Sequence, residues 1–186
     1  MKLKSGQKTP NFETTDIHGS KINLQKISNQ KILLTFFRYA ECALCNLRIS
    51  ELRNVSKKLQ ELDIKLIAIF QSEKESLLKS VYNKHSFDFT IIADPKLELY
   101  NLFEVKPSWV KLIRTTTWKG IKSMIKASKE GFKLGGKVEG KFHQIPADFL
   151  INNEKSIEIA HYGNNVIDHL PIEEVIKTTA NNGYSK

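Results

Sequence analysis

Apolar residues fall along this chain in two rhythms. Lys31 to Phe37 (KILLTFF) and Ile64 to Phe70 (IKLIAIF) are short aliphatic and aromatic runs without Gly or Pro, the pattern of parallel strands buried on both faces. Between them Leu44, Leu47, Leu52, Val55, Leu59 and Leu62 recur at helical intervals, with Arg48, Glu51, Lys57, Lys58 and Glu61 in the gaps. That spacing predicts an amphipathic helix of about five turns, and strand, helix and strand together make a right-handed βαβ unit.

Residues 73–86 read as a further helix, and FTIIA at 89–93 as a short strand stopped by Asp94-Pro95. KLELYNLF at 96–103 reads as helical. Near the other end, 147–152 and 156–162 flank the polar stretch NEK as an antiparallel hairpin. A last helix starts at Pro171, which suits a first turn, with Glu173 and Glu174 against the positive end of the helix dipole. The order, βαβ first and ββα last, predicts an α/β fold with a central mixed sheet flanked by helices.

Composition narrows the class. With 186 residues, 40% of them apolar and 26% charged, the chain fits one globular domain, 1–186. It contains no apolar run near the roughly 20 residues of a membrane span, and its N-terminal stretch is polar, so a cytoplasmic protein is expected. The net charge of +9 is concentrated: ten Lys or Arg face only Glu130 and Glu139 between Lys106 and Lys141. That segment is read as a basic helical insert, with Trp109 and Trp118 expected in the core of its helices. Its charge is either a solvated face or a guide for an acidic partner, an anionic substrate or a membrane surface; nucleic acid is not expected, because no recognised binding motif accompanies the charge.

Both cysteines of the chain lie in RYAECALCNLR, at the turn from the first long strand to the first long helix. A helix N-terminus lowers a thiol pKa, and two intervening residues let Cys45 attack a Cys42 sulfur that has been oxidised. Zinc needs four ligands, and no second pair is at hand. Two inert core thiols are the bland alternative. Thiol redox chemistry, which requires no bound cofactor, is the favoured reading. Three of the four arginines, at 38, 48 and 53, lie around the cysteines. Arg38 is read as functional, Arg53 as a solvated helix residue, Arg48 as either, and Arg114 as a contributor from the insert. Glu41 is expected to oppose ionisation of its neighbour Cys42. His143 is read as a surface residue near the site, and the other histidines as structural.

The opening SGQKTPNFETTDIHGSKINL, the strand KILLTFF running into RYAECALCNLR, DPKLELYNLF and QIPADFLI resemble the AhpC/TSA group of the thioredoxin-like superfamily, in its peroxiredoxin-like branch with a CxxC pair. The resemblance implies a thioredoxin-like fold, Cys42 as the attacking thiol and Cys45 as the resolving one. It also implies a cis-proline at Pro146 facing the pair, so that the Ile145 backbone can hold an extended peptide. The typical PxxxTxxC motif is altered here, with Thr35 for the Pro and Tyr39 for the Thr, leaving the Tyr39 hydroxyl to bond a peroxide. The expected activity is reduction of hydroperoxides with recycling by a thioredoxin-type or small-thiol reductant. Exchange with a protein disulfide is the alternative, and a non-catalytic binding module that uses the insert is a third.

Overall fold

The computed structural model describes residues 1–83 and 88–183. After a small antiparallel hairpin of β1 (Glu13–Thr15) and β2 (Lys21–Asn23), the predicted unit forms as β3 (Lys31–Phe36), α1 (Ala43–Glu61) and β4 (Ile64–Phe70). A short α2 (Lys74–Leu77) continues into a π-turn at Leu78–Tyr82, and the end of the helix expected to reach residue 86 lies outside the described residues. The chain then runs through β5 (Thr90–Ala93), α3 (Glu98–Leu102), α4 (Trp109–Ile113) and α5 (Trp118–Lys129) to β6 (Ala147–Ile151), β7 (Ile157–Tyr162) and α6 (Ile172–Gly183).

Five strands form one sheet in the order β5-β4-β3-β6-β7. β3, β4 and β5 are parallel, while β6 runs antiparallel to both β3 and β7. The central strands are mostly apolar because both faces are covered. Leu33, Phe37, Leu66 and Ala68 pack on α1 and α6 through Ile49, Leu52, Ile172 and Val175. On the other face Leu34, Phe36, Ile67 and Phe149 meet Phe12, Leu24, Tyr100 and Phe103. The β1–β2 hairpin was not visible in the apolar pattern: its strands are three residues long and mostly exposed, so no buried face imposes alternation.

Two expectations fail. The Ile145–Pro146 peptide is trans, the ordinary preference of an X–Pro bond; from there Pro146 carries the sheet on, its carbonyl accepting the Gly163 N–H at 3.0 Å. The tryptophans are not core: Trp109 is 59% and Trp118 70% exposed. For Trp118 the reason lies in α5, which turns small residues inward. Gly120 sits so close to Thr115 that a Cβ there would fall 1.7 Å from its carbonyl oxygen, and Ala127 packs with Ala43 and Leu47 of α1. Small residues allow close helix contact, and the large side chains are left on the opposite side. No helix among the described residues is long and apolar enough to cross a membrane.

Candidate active site

β3 and β4 end beside each other, and the chain between β3 and α1 is fixed there by backbone pairing. Phe37 N–H donates to Ile69 O at 2.8 Å and Gln71 N–H to Arg38 O at 3.0 Å. Two buried side chains complete the turn. Ser72 Oγ accepts Ala40 N–H at 2.8 Å, and Asn46 Nδ2 donates to Ala40 O and Cys42 O at 2.7 and 3.0 Å. Cys42 is thereby held as the N-cap of α1, where its sulfur accepts the Cys45 N–H at 3.4 Å. Capping by a sulfur pointed at unpaired helix N–H groups favours a negative charge on it.

Arg38 reaches the same sulfur from the other side, Nη1 to Sγ 3.5 Å. Its guanidinium lies between the rings of Tyr39 and Phe142, at 4.9 and 5.0 Å from their centroids, and Nη2 donates to Phe142 O. Arg38 is only 5% exposed, and among the described residues it makes no ion pair with a carboxylate. A buried cation needs a countercharge; among the described residues the acidic groups beside it include the Cys42 thiol, which Nη1 meets, and the Tyr39 phenol. The thiol responds accordingly. Burial opposes its ionisation, but the hydrogen bond from the Cys45 thiol, the charge of Arg38 and the Cys45 N–H outweigh burial and lower its pKa to about 6. Cys45 moves the other way, raised well above 9 by burial and by its bond to the Cys42 sulfur. The pair is therefore one thiolate and one thiol.

Residues 136–142 lie across this turn as a strap. Lys137 N–H donates to Glu41 Oε2 at 2.7 Å, Ser76 Oγ to Glu139 at 2.7 Å, and Gln71 bonds both the N–H and the carbonyl of Lys141, at 3.0 and 2.9 Å. Gly140, at φ +68°, comes so near Gln71 that a Cβ would lie 2.7 Å from its amide carbon. Cys42 and Cys45, packed with Phe37, Tyr39 and Ile49, are 4% and 3% exposed. Glu41 is turned toward Lys137 and Ser80, so the expected repulsion with Cys42 is spent on the strap instead.

The remaining predicted residues separate. Tyr39 is buried against Arg38, its pKa raised by burial despite that guanidinium. Arg48 donates to Leu170 O at 2.6 Å and pairs with Glu51 at 3.4 Å, tying α1 to the approach to α6 rather than to a sulfur. Arg53 and Arg114 are exposed, with no contact to the cysteines among those described. Pro146 lines a cavity of about 250 Å³ with Val105, Pro107 and Ser108. His143 stacks on Trp109, centroids 4.2 Å apart.

Sequence reasoning missed a buried acid and its partners. Asp148 of β6, 1% exposed, bonds His169 Nδ1 at 3.1 Å and the Leu170 N–H at 2.8 Å. Burial raises its pKa, but His169, Arg48 and that N–H more than reverse the effect and the carboxyl stays below its usual range. Asp148 pairs in register with Thr35, on the face that α1 covers. The signal was present in ADFLI: an acid inside a strand that is apolar on both sides needs a buried partner.

The model of the AhpC/TSA family matches residues 5–160, and the chain belongs to that family, in its CxxC-containing, thioredoxin-like branch. Among curated relatives, the thiol-disulfide oxidoreductase ResA of Bacillus thuringiensis (strain Al Hakam) is 24% identical over 106 residues, 57% of this chain and 61% of that protein. The chain thus matches less than two thirds of that relative's length. Peroxiredoxin Bcp of Escherichia coli (strain K12) is 25% identical over 156 residues, covering 83% of this chain and 92% of the relative. The crystal structure of peroxidoxin BcpB from Mycobacterium tuberculosis superposes with a TM-score of 0.67 at 16% identity, covering 99% of both chains; it shows the shared fold.

Proposed function

We propose that the protein is a thiol peroxidase in which Cys42 is the nucleophile and Cys45 the resolving thiol, working as one thioredoxin-like domain in a reducing cytoplasm. The observation that carries this reading is the buried Arg38 guanidinium, which has the Cys42 sulfur in place of a carboxylate. In the cycle, Cys42 thiolate attacks one oxygen of a hydroperoxide; the O–O bond breaks, an S–O bond forms, and the departing alkoxide takes a proton from water. Cys42 is then a sulfenic acid without charge. Loss of that charge removes one of the causes holding up the Cys45 pKa. Cys45 then attacks the Cys42 sulfur, releases water and closes the disulfide, which an external dithiol reduces to restore both thiols.

The alternative, exchange with a protein disulfide, is favoured by the altered PxxxTxxC motif and the ResA match. Two observations weigh against it. Both sulfurs are buried in the core beside Tyr39 and Ile49, 4% and 3% exposed, where a small peroxide fits more readily than a polypeptide. Ile145, expected to pair with a bound peptide, is 3% exposed and its carbonyl accepts Gln144 Nε2 at 3.1 Å. Stopped-flow oxidation of the reduced protein by hydrogen peroxide, beside exchange with a disulfide peptide, separates the two. Rapid loss of both thiols to one Cys42–Cys45 disulfide is expected. Oxidation no faster than that of a free thiol, with ready exchange, would move the function to disulfide exchange.

A further inference from the structure

The basic segment leaves apolar surface uncovered. Of the large hydrophobic side chains exposed among the described residues, all but Met1 and Leu102 lie between Trp109 and Phe142. On α5, Trp118, Ile121 and Ile125 recur at i, i+3 and i+7, on the side away from Gly120 and Ala127, which face the body of the protein. Lys119, Lys122 and Lys129 flank that stripe and make no ion pair among the described residues. Lys122 sits over the Trp118 ring at 5.4 Å. Before it, α4 exposes Trp109, Val110 and Ile113, with Trp109 beside Phe142 of the strap, centroids 6.5 Å apart.

We infer that this segment is a docking surface for an anionic phospholipid bilayer, with the Trp118–Ile121–Ile125 stripe buried at the interface and the lysines on the headgroups. An amphipathic helix with aromatic and aliphatic residues on one side and lysines beside them is the composition that lies in a membrane interface. The charge chooses among occupants. A second copy would bring two segments, each with ten basic and two acidic residues, face to face. A nucleic acid takes up the cations and can stack a base on Trp118, but leaves Ile121 and Ile125 in water. An anionic bilayer satisfies both, and long lysine stems reach headgroups while their carbons stay on apolar surface. The inference is independent of the thiol reading, although Phe142 joins the two regions by bonding Arg38.

Flotation of the reduced 186-residue chain with vesicles tests it, using phosphatidylcholine alone and phosphatidylcholine mixed with phosphatidylglycerol, with tryptophan emission recorded in parallel. Binding to the phosphatidylglycerol vesicles is expected, with a blue shift in emission and release at high salt. The triple variant Trp118→Ser, Ile121→Ser, Ile125→Ser should lower that binding at least about tenfold with its melting temperature unchanged. Lys119→Gln, Lys122→Gln, Lys129→Gln should lower it on the order of a hundredfold, about fivefold for each lysine. Absence of binding to anionic vesicles overturns the inference, as does binding that the serine variant leaves intact. Lipid-free self-association abolished by the serine variant would instead assign the stripe to a second copy, and a blue shift with polyglutamate but not with vesicles would assign it to an acidic protein.

Discussion

The turn from Phe37 to Asn46 and the segment from Lys106 to Phe142 treat burial in opposite ways. The first takes polar groups out of water and pairs most of them: Arg38 and Asn46 are 5% and 2% exposed, and all their donor atoms but Arg38 Nε meet a sulfur or one of three carbonyls. The second leaves in water the large apolar groups that a folded chain ordinarily hides. A buried polar constellation implies that its charge is used on the spot, whereas uncovered apolar surface implies that its partner lies outside the chain. The strap belongs to both regions, since its backbone bonds Glu41, Gln71 and Arg38 at the thiol turn while Val138 and Phe142 are exposed.

Substitutions break this comparison in a definite order. Cys42→Ser should abolish peroxide-dependent turnover, while Trp118→Ser with Ile125→Ser leaves the turnover of soluble hydrogen peroxide unchanged; equal losses would mean that the exposed stripe belongs to the catalytic machinery. Next, Asp148→Ala strands His169 and the Leu170 N–H, and should cost about 3 kcal/mol in urea unfolding. Lys126→Ala, which removes an exposed pair with Glu51 at 3.2 Å, should cost less than about 1 kcal/mol. Because the Asp148 pKa is lowered by folding, its contribution is full above about pH 4 and is lost as pH falls further. The difference between wild type and Asp148→Asn should therefore shrink in acid.

A smaller effect is expected at Arg38. Arg38→Met removes the positive charge beside the Cys42 sulfur and should raise the thiol pKa by about 1–2 units, slowing peroxide oxidation at pH 7 roughly two- to tenfold through the lost thiolate. An unchanged rate would show that the helix terminus and Cys45 suffice. The smallest effect is on stability, where Trp118→Ser should shift the unfolding free energy by no more than about 0.5 kcal/mol.

Legibility in the sequence followed burial. β3, β4, α1 and the β6–β7 hairpin lie within a residue or two of where the apolar pattern put them, because each is built against the core. α2 passes into a π-turn at Leu78–Tyr82, and the end of the helix expected to reach residue 86 lies outside the described residues. At the site, the CxxC spacing and the cluster of arginines drew attention to the turn at which Arg38 does meet Cys42. Arg48 does not, because its neighbour in space is Leu170, 122 residues away. Asn46, Ser72 and Gln71 escaped notice for the same reason: each bonds a backbone group set beside it only by the fold. Trp118 was misplaced by a rule that holds for helices packing their large residues inward, which α5 inverts.

The central claim is that Cys42 is a thiolate at neutral pH because the Cys45 thiol, Arg38 and the start of α1 hold it so. Ultraviolet titration of thiolate absorbance in the reduced protein, with Cys42→Ser and Cys45→Ser alongside, measures this directly and does not depend on reagent access to the buried sulfurs. One thiolate appearing near pH 6 in the wild type and missing in Cys42→Ser is the predicted result. A first thiolate appearing only near the ordinary value of about 8.5, or one that disappears with Cys45→Ser while Cys42 stays protonated, would contradict it.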